Sequence, residues 1–223
     1  MYVYTEFTHT RKQEHEHPEL YEDKNVDYQL EECKKMQRCG IMHQRGIMHR
    51  DLKPGNILVT RSENDEPQPK VIDFGIAKAI SSDLTDMTLH TTIGQLVGTL
   101  AYMSPEQASF EVTDQRSDIF SNGVILAELL LGKNIFAGVD AAESRQKIVD
   151  EPIPHFRNEN DYIDLRLDAI LQKALARNLD VRYESAERFM KDMEYHMYHK
   201  GYGPTNETLA TYMRELFPEQ APA

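Results

Sequence analysis

The sequence predicts an α+β domain, mainly α-helical, whose hydrogen-bonded strands are concentrated in one small β-hairpin. Three observations carry that prediction. Two short runs rich in β-branched residues, Asn56–Thr60 and Lys70–Asp73, flank the acidic, proline-containing stretch Arg61–Pro69, the pattern of a hairpin with a long turn. Downstream, Asp118–Leu131, Ala141–Asp150, Ile163–Ala176 and Ser185–His199 read as helices. Between hairpin and helices, Ile76–Ser104 keeps no period and is rich in Thr and Ser. It reads as a long structured loop, and such loops in compact domains are usually functional.

The other elements follow in chain order. Tyr2–Phe7 is short, aromatic and β-branched, and reads as a strand. Thr8–Lys24 is a polar, His- and Glu-rich surface connection, so His9, His15 and His17 are expected to be solvated rather than metal-bound. Val26–Arg45 carries Val26, Leu30, Cys33, Met36 and Gly40/Ile41 at roughly helical spacing, in a stripe crowded by Lys34, Lys35, Gln37 and Arg38. Asp118–Leu131 is apolar almost all round, as a helix at the centre of a lobe must be. After Gly201 a short amphipathic segment gathers Leu209, Tyr212, Met213, Leu216 and Phe217 on one face, expected to dock on its own lobe.

Composition excludes several function classes. A chain of 223 residues suits one sizeable domain, or a lobe with a tail. A formal net charge of −12 argues against nucleic acid and against an anionic membrane surface as partners. The longest apolar run, around Val124–Leu131, is interrupted by Glu128 and too short to span a bilayer. Cys33 and Cys39 are the only cysteines and form no C-x-x-C motif, and the N-terminus shows no signal peptide. A cytoplasmic location is expected.

The chemistry sits in three motifs. His49-Arg50-Asp51-Leu52-Lys53-Pro54-Gly55-Asn56 matches H-R-D-L-x-x-x-N; Asp73-Phe74-Gly75 closes the second hairpin strand; Ser104-Pro105-Glu106 follows further on. Phosphoryl transfer from ATP needs alignment and charge neutralisation more than covalent help. A carboxylate must orient the attacking hydroxyl and take its proton, and Asp51 suits that task. Lys53, two residues on, can reach the transferring group. Hard oxygen ligands must hold Mg²⁺, and Asp73 offers a carboxylate and Asn56 a side-chain carbonyl.

On these motifs, Tyr2 to about Met193 resembles the C-terminal lobe of eukaryotic-like serine/threonine protein kinases. Val71–Lys78 and Gly98–Ala108 are similar to bacterial members, and Lys53 is the serine/threonine rather than the tyrosine-kinase pattern. The resemblance implies a protein-kinase-like C-lobe in which the hairpin carries the catalytic and metal-binding loops. It implies Asp51, Lys53 and Thr99 as catalytic residues, with Thr99 contacting Asp51 and Lys53. Lys53, Asn56, Leu58 and Asp73 become nucleotide contacts, and Asn56 and Asp73 the metal ligands. It also implies structural roles. Asp118 would bind the catalytic-loop backbone, Glu106 and Arg182 would pair, and His49 and Phe74 would belong to a hydrophobic column between lobes. Arg50 is expected to meet a phosphate on the activation segment, with Thr88, Thr91 and Thr92 as candidate acceptors.

The implied division is 1–7 as the last strand of a small lobe and its hinge, 8–199 as the large lobe, and 200–223 as a tail. The catalytic loop is 49–56 and the activation segment 73–106. No G-x-G-x-x-G occurs, and neither the strand lysine nor the helix glutamate of the small lobe is recognisable. The expected function is ATP- and Mg²⁺-dependent phosphorylation of protein Ser/Thr, on protein substrates and on other kinase molecules. This chain alone is expected to bind ATP weakly and transfer little phosphate. The alternative is a non-catalytic binding or scaffold module. Leu100 where proline is common, Asn122 where leucine is common, and the polar stretch Cys33–Gly40 depart from the family pattern.

Overall fold

The computed structural model describes residues 2–3, 35–36, 38–61, 67–73 and 100–198. The polar connection 8–24, residues 26–34 of the first predicted helix, Phe74, Thr88, Thr91, Thr92, Thr99 and the tail 200–223 lie outside the described residues.

Three strands form one antiparallel sheet in the order β1-β2-β3: β1 is Tyr2–Val3, β2 Ile57–Arg61 and β3 Pro67–Val71. The hairpin is β2–β3, and the predicted first strand joins it through Tyr2↔Val59 and Val3↔Leu58. Arg61–Pro69 is not all turn, because Arg61 pairs with Pro67 and Val59 with Pro69. Register explains why proline is accepted there. The Ile72 N–H donates to the Asn56 carbonyl at 2.9 Å, and bonded pairs alternate along an antiparallel ladder. Leu58↔Lys70 and Thr60↔Gln68 therefore take the bonded positions. Pro67 and Pro69 fall on the non-bonded ones, on the edge strand, where a missing N–H breaks no rung.

The helices are α1 (Pro105–Ala108), α2 (Arg116–Leu131), α3 (Ala141–Val149), α4 (Leu165–Ala174) and α5 (Ala186–Tyr198), with further helical backbone at 35–36 and 38–44. Their starts are set by side chains that meet unpaired N–H groups. Asp140 accepts from Glu143 N, Asp164 from Arg166 N and Leu167 N, and Ser185 Oγ from Arg188 N. The α2 helix stops at Gly132, whose φ of 68° is left-handed.

The core is built around α2. Phe120, Val124, Ala127 and Leu130 pack with Leu167, Leu171, Phe189 and Met193 of α4 and α5. Ile125 and Leu129 face a second cluster with Cys39, Leu52, Ile57 and Val59, which ties the sheet and catalytic loop to the same helix. Close approach within these two clusters favours glycine at positions 123 and 40. A Cβ on Gly123 would meet Ala174 Cβ at 3.0 Å and Leu175 Cδ2 at 3.1 Å. A Cβ on Gly40 would lie 3.3 Å from Glu187 Cγ, so the glycine that interrupts the first helical pattern lets this segment lie against the start of α5. No helix among the described residues is long and apolar enough to cross a membrane.

Candidate active site

Asp118, in the first turn of α2 and 1% exposed, is the centre from which the catalytic loop is held. Its Oδ2 accepts the His49 N–H at 2.8 Å and its Oδ1 the Arg50 N–H at 2.8 Å. The third donor is one that sequence reasoning missed: His43 Nε2, 2.8 Å from Asp118 Oδ2. Nothing in the residue type separates His43 from the other histidines; only its partner, 75 positions away, gives it a role.

His49 is fully buried and braces the loop from the other side. Its Nδ1 accepts the Asp51 N–H at 3.3 Å, which leaves Nε2 to carry the proton and donate to the Ile72 carbonyl at 2.9 Å. One imidazole thus ties the residue before Asp73 to the backbone of Asp51. Arg50, between them, has a φ of 65°, and Asp73 a φ of 54°. Left-handed backbone at non-glycine residues costs about 1–3 kcal/mol each and persists where the surroundings over-determine it. Here both strained residues bracket the site.

Asp51, Lys53 and Asn56 converge. Lys53 Nζ stands 3.1 Å from Asp51 Oδ2. Asn56 is placed by the 3₁₀ turn Pro54–Asn56, and its Nδ2 donates to the Asp51 carbonyl at 2.8 Å and to Asp51 Oδ2 at 3.2 Å. Facing two acceptors fixes the amide orientation, so Oδ1 points away from Asp51. Asp73 follows Ile72, whose N–H bonds to the Asn56 carbonyl, so Asn56 and Asp73 flank the open end of the hairpin. The Asp73 side chain is exposed. Leu58 is half-buried on β2, on the face opposite Ile57 and Val59, which point into the second cluster.

Behind the loop, Ser104-Pro105-Glu106 opens α1. Ser104 and Gln107 form a capping box, and Gln107 Nε2 reaches back to the Arg50 carbonyl at 2.9 Å. Glu106 and Arg182 pair: Nη1 to Oε1 is 2.8 Å and Nη2 to Oε2 is 3.0 Å. Ser117 Oγ donates to Glu106 Oε1 at 2.7 Å. Burial pushes the Glu106 carboxyl upward, but the Arg182 bond and charge, with Ser117, outweigh it and hold the group below the usual carboxylate range.

The structure therefore brings together Asp51, Lys53, Asn56, His49, Arg50 and Asp118, sets Asp73 beside them, and pairs Glu106 with Arg182. Phe74, Thr88, Thr91, Thr92 and Thr99 lie outside the described residues. Among the described residues, no group of three or more His, Cys, Asp or Glu side chains is arranged to hold a metal ion. A metal here would rest on the Asn–Asp pair.

The chain is similar to known proteins over most of its length. The protein kinase domain model matches residues 5–196. A serine/threonine-protein kinase PknB of Mycolicibacterium smegmatis is 38% identical over 158 residues, 70% of this chain and 24% of that protein. The Mycobacterium leprae PknB is 39% identical over 158 residues, with the same coverage. A probable PknB of Lactococcus lactis is 39% identical over 153 residues, 69% of this chain and 23% of that protein. The chain thus spans about a quarter of the length of the curated relatives it matches. In fold it is similar to the crystal structure of the Mycobacterium tuberculosis PknI kinase domain, with a TM-score of 0.53 and 24% identity, over 76% of this chain and 55% of that one. On its motifs, its fold and the family model, the chain belongs to the protein kinase domain family.

Proposed function

We propose that this chain is the large lobe of a serine/threonine kinase that moves the γ-phosphoryl group of ATP to a Ser or Thr hydroxyl of a protein substrate. The observation that carries this is the Asp51 carboxylate held between Lys53 Nζ at 3.1 Å and Asn56 Nδ2 at 3.2 Å. A carboxylate so placed orients the substrate hydroxyl and accepts its proton. Lys53 lies close enough to the same point to neutralise charge on the transferring group. Leu58 offers an apolar surface to the nucleotide base, and Thr99 a contact to Asp51 and Lys53.

Mg²⁺ fits the donors present. Asn56 Oδ1 is turned away from Asp51 by the two bonds of its Nδ2, and the exposed Asp73 carboxylate has no hydrogen bond from a described residue. A hard oxygen pair of this kind suits an ion that takes one or two protein ligands and fills its shell with waters and phosphates. When bound, the ion would neutralise phosphate charge beside Asp73 and Asn56.

Residues 1–7 serve as strand and hinge, 8–199 as the lobe and 200–223 as its tail. Arg50, next to Asp51, is the receiver for a phosphate on Thr88, Thr91 or Thr92, added by another kinase molecule in the cytoplasm. The residues that cover ATP phosphates in the family are not recognisable in the sequence, so the chain alone turns over little. The test joins the small lobe of the M. smegmatis relative ahead of this chain and measures Mg²⁺-dependent transfer to a generic protein substrate. Phosphoserine or phosphothreonine, lost with Asp51→Asn and Asp73→Asn, is expected. A folded fusion that transfers no phosphate would sink the proposal, and alanine at both Thr91 and Thr92 tests the switch.

A further inference from the structure

Gln107 has no part in the chemistry above, yet its side chain joins two functional loops. Its Oε1 accepts the Ser104 N–H at 3.0 Å and lies 3.2 Å from Ser104 Oγ, while its own N–H donates to Ser104 Oγ at 3.3 Å. The remaining group, Nε2, donates to the Arg50 carbonyl at 2.9 Å, across 57 positions of sequence. That carbonyl belongs to the peptide leading into Asp51. Arg50 is held in left-handed backbone at φ 65°, which a non-glycine residue keeps only when neighbours fix it. Asp118 fixes the Arg50 N–H at 2.8 Å; Gln107 fixes its carbonyl.

We infer that Gln107 is a positioning residue for Asp51: it locks the Arg50–Asp51 peptide and makes its orientation depend on the seating of α1, at the end of the activation segment. This rests on the kinase reading of Asp51 for its catalytic consequence. Its structural half stands without it. When α1 is anchored by the Ser104 capping box and the Glu106–Arg182 pair, Nε2 is presented to the catalytic loop. A displaced α1 withdraws the donor, and the strained peptide is released.

Two variants separate the bond to Arg50 from the helix cap. Gln107→Glu keeps an acceptor for the capping box and removes the donor. Gln107→Met removes both without adding charge. In the full chain, amide hydrogen exchange at Arg50 and Asp51 is expected to quicken roughly tenfold in both variants, the effect of one hydrogen bond, while core amides of α2 keep the parental rate. In the small-lobe fusion, kcat is expected to fall about tenfold or more with KM for ATP unchanged. Parental exchange at Arg50 and Asp51 in Gln107→Glu overturns the inference, as does acceleration in Gln107→Met alone, which would leave only a cap. Equal acceleration throughout α2 also overturns it. A parental fusion without phosphoryl transfer refutes the kinase reading instead, and the exchange comparison still decides the role of Gln107.

Discussion

Replacing Arg182 by methionine removes a guanidinium that is completely buried and fully engaged. Its Nε donates to the Ala176 carbonyl at 2.7 Å, and Nη1 to Glu106 at 2.8 Å and to the Arg116 carbonyl at 2.9 Å. Nη2 donates to Glu106 at 3.0 Å and approaches the Arg177 carbonyl at 3.4 Å, and the group lies 5.1 Å over the Phe120 ring. Methionine fills much of the volume but leaves Glu106, 4% exposed, with Ser117 as its remaining side-chain donor among these contacts. Breaking a buried pair from one side costs about 3–5 kcal/mol, against a total stability of about 5–15 kcal/mol. With a urea m-value near the upper end of about 1–3 kcal/mol/M, the midpoint should fall by about 1–2 M.

The assay is urea unfolding followed by circular dichroism, on the parent, Arg182→Met, and the double variant Glu106→Leu/Arg182→Met. The double variant should recover much of the loss, because the stranded charge is gone. A pH series adds a signed check. The Glu106 carboxyl is held below its unfolded value, so its contribution is fully present above a pH of about 4.3 and drains away as pH falls through the folded pKa. The double variant should lack that part of the acid slope. If Arg182→Met keeps the parental midpoint, the pair is ornamental and the anchoring of α1 must be sought elsewhere.

Three further outcomes are expected. Gly123→Ala should destabilise by about 1–3 kcal/mol, despite alanine's better helix propensity, because its Cβ would press on Ala174 and Leu175; thermal unfolding reads it. Asp118→Asn should disorder the catalytic loop at a cost of about 1–3 kcal/mol, since an amide offers only one oxygen to the His49 and Arg50 N–H groups and turns a donor toward the other; local hydrogen exchange at 49–51 measures it. Glu128 is pushed up by burial, partly offset by the Tyr102 hydroxyl at 2.6 Å, so its ionised form is disfavoured in the fold. Stability that a raised carboxyl contributes is present below its unfolded value and lost as pH rises through the folded one. Glu128→Gln should therefore stabilise the protein at pH 8 and make little difference at pH 3, in thermal melts at the two values.

Much of this was legible because the motifs are local and their spacing encodes their geometry. Lys53 reaches Asp51 from two residues away, and Asn56 reaches it across one 3₁₀ turn, so the sequence order already contains the cluster. The hairpin was legible from its β-branched runs. Its extension through Pro67 and Pro69 was not, since a proline's effect depends on ladder parity and strand order, which only pairing reveals. Gly40 looks out of place in a helical stripe because its purpose, contact with Glu187 on α5, lies 147 positions downstream. His43 and Gln107 were missed for the same reason: each acts through one partner remote in sequence.

The apolar character of α2 hides the feature that matters most to the site. A helix buried all round must satisfy every polar side chain it carries, and α2 carries Ser117, Asp118, Ser121 and Asn122 at its buried start. Ser117 binds Glu106, Asp118 binds the catalytic loop, and Ser121 Oγ donates to the Tyr102 carbonyl at 2.7 Å. Asp51's loop and the foot of the activation segment are thus held by adjacent residues of one rigid element, and their relative placement follows from the pitch of a single helix. Asn122 breaks the rule. Its Nδ2 reaches Cys39 Sγ at 3.8 Å, and its Oδ1 is buried without a hydrogen-bond partner among the described residues. The family resemblance sets leucine at this position, so the departure falls on the residue of the four whose side-chain oxygen is left unpaired among the described residues. It weakens the core of the lobe without touching the residues that position Asp51.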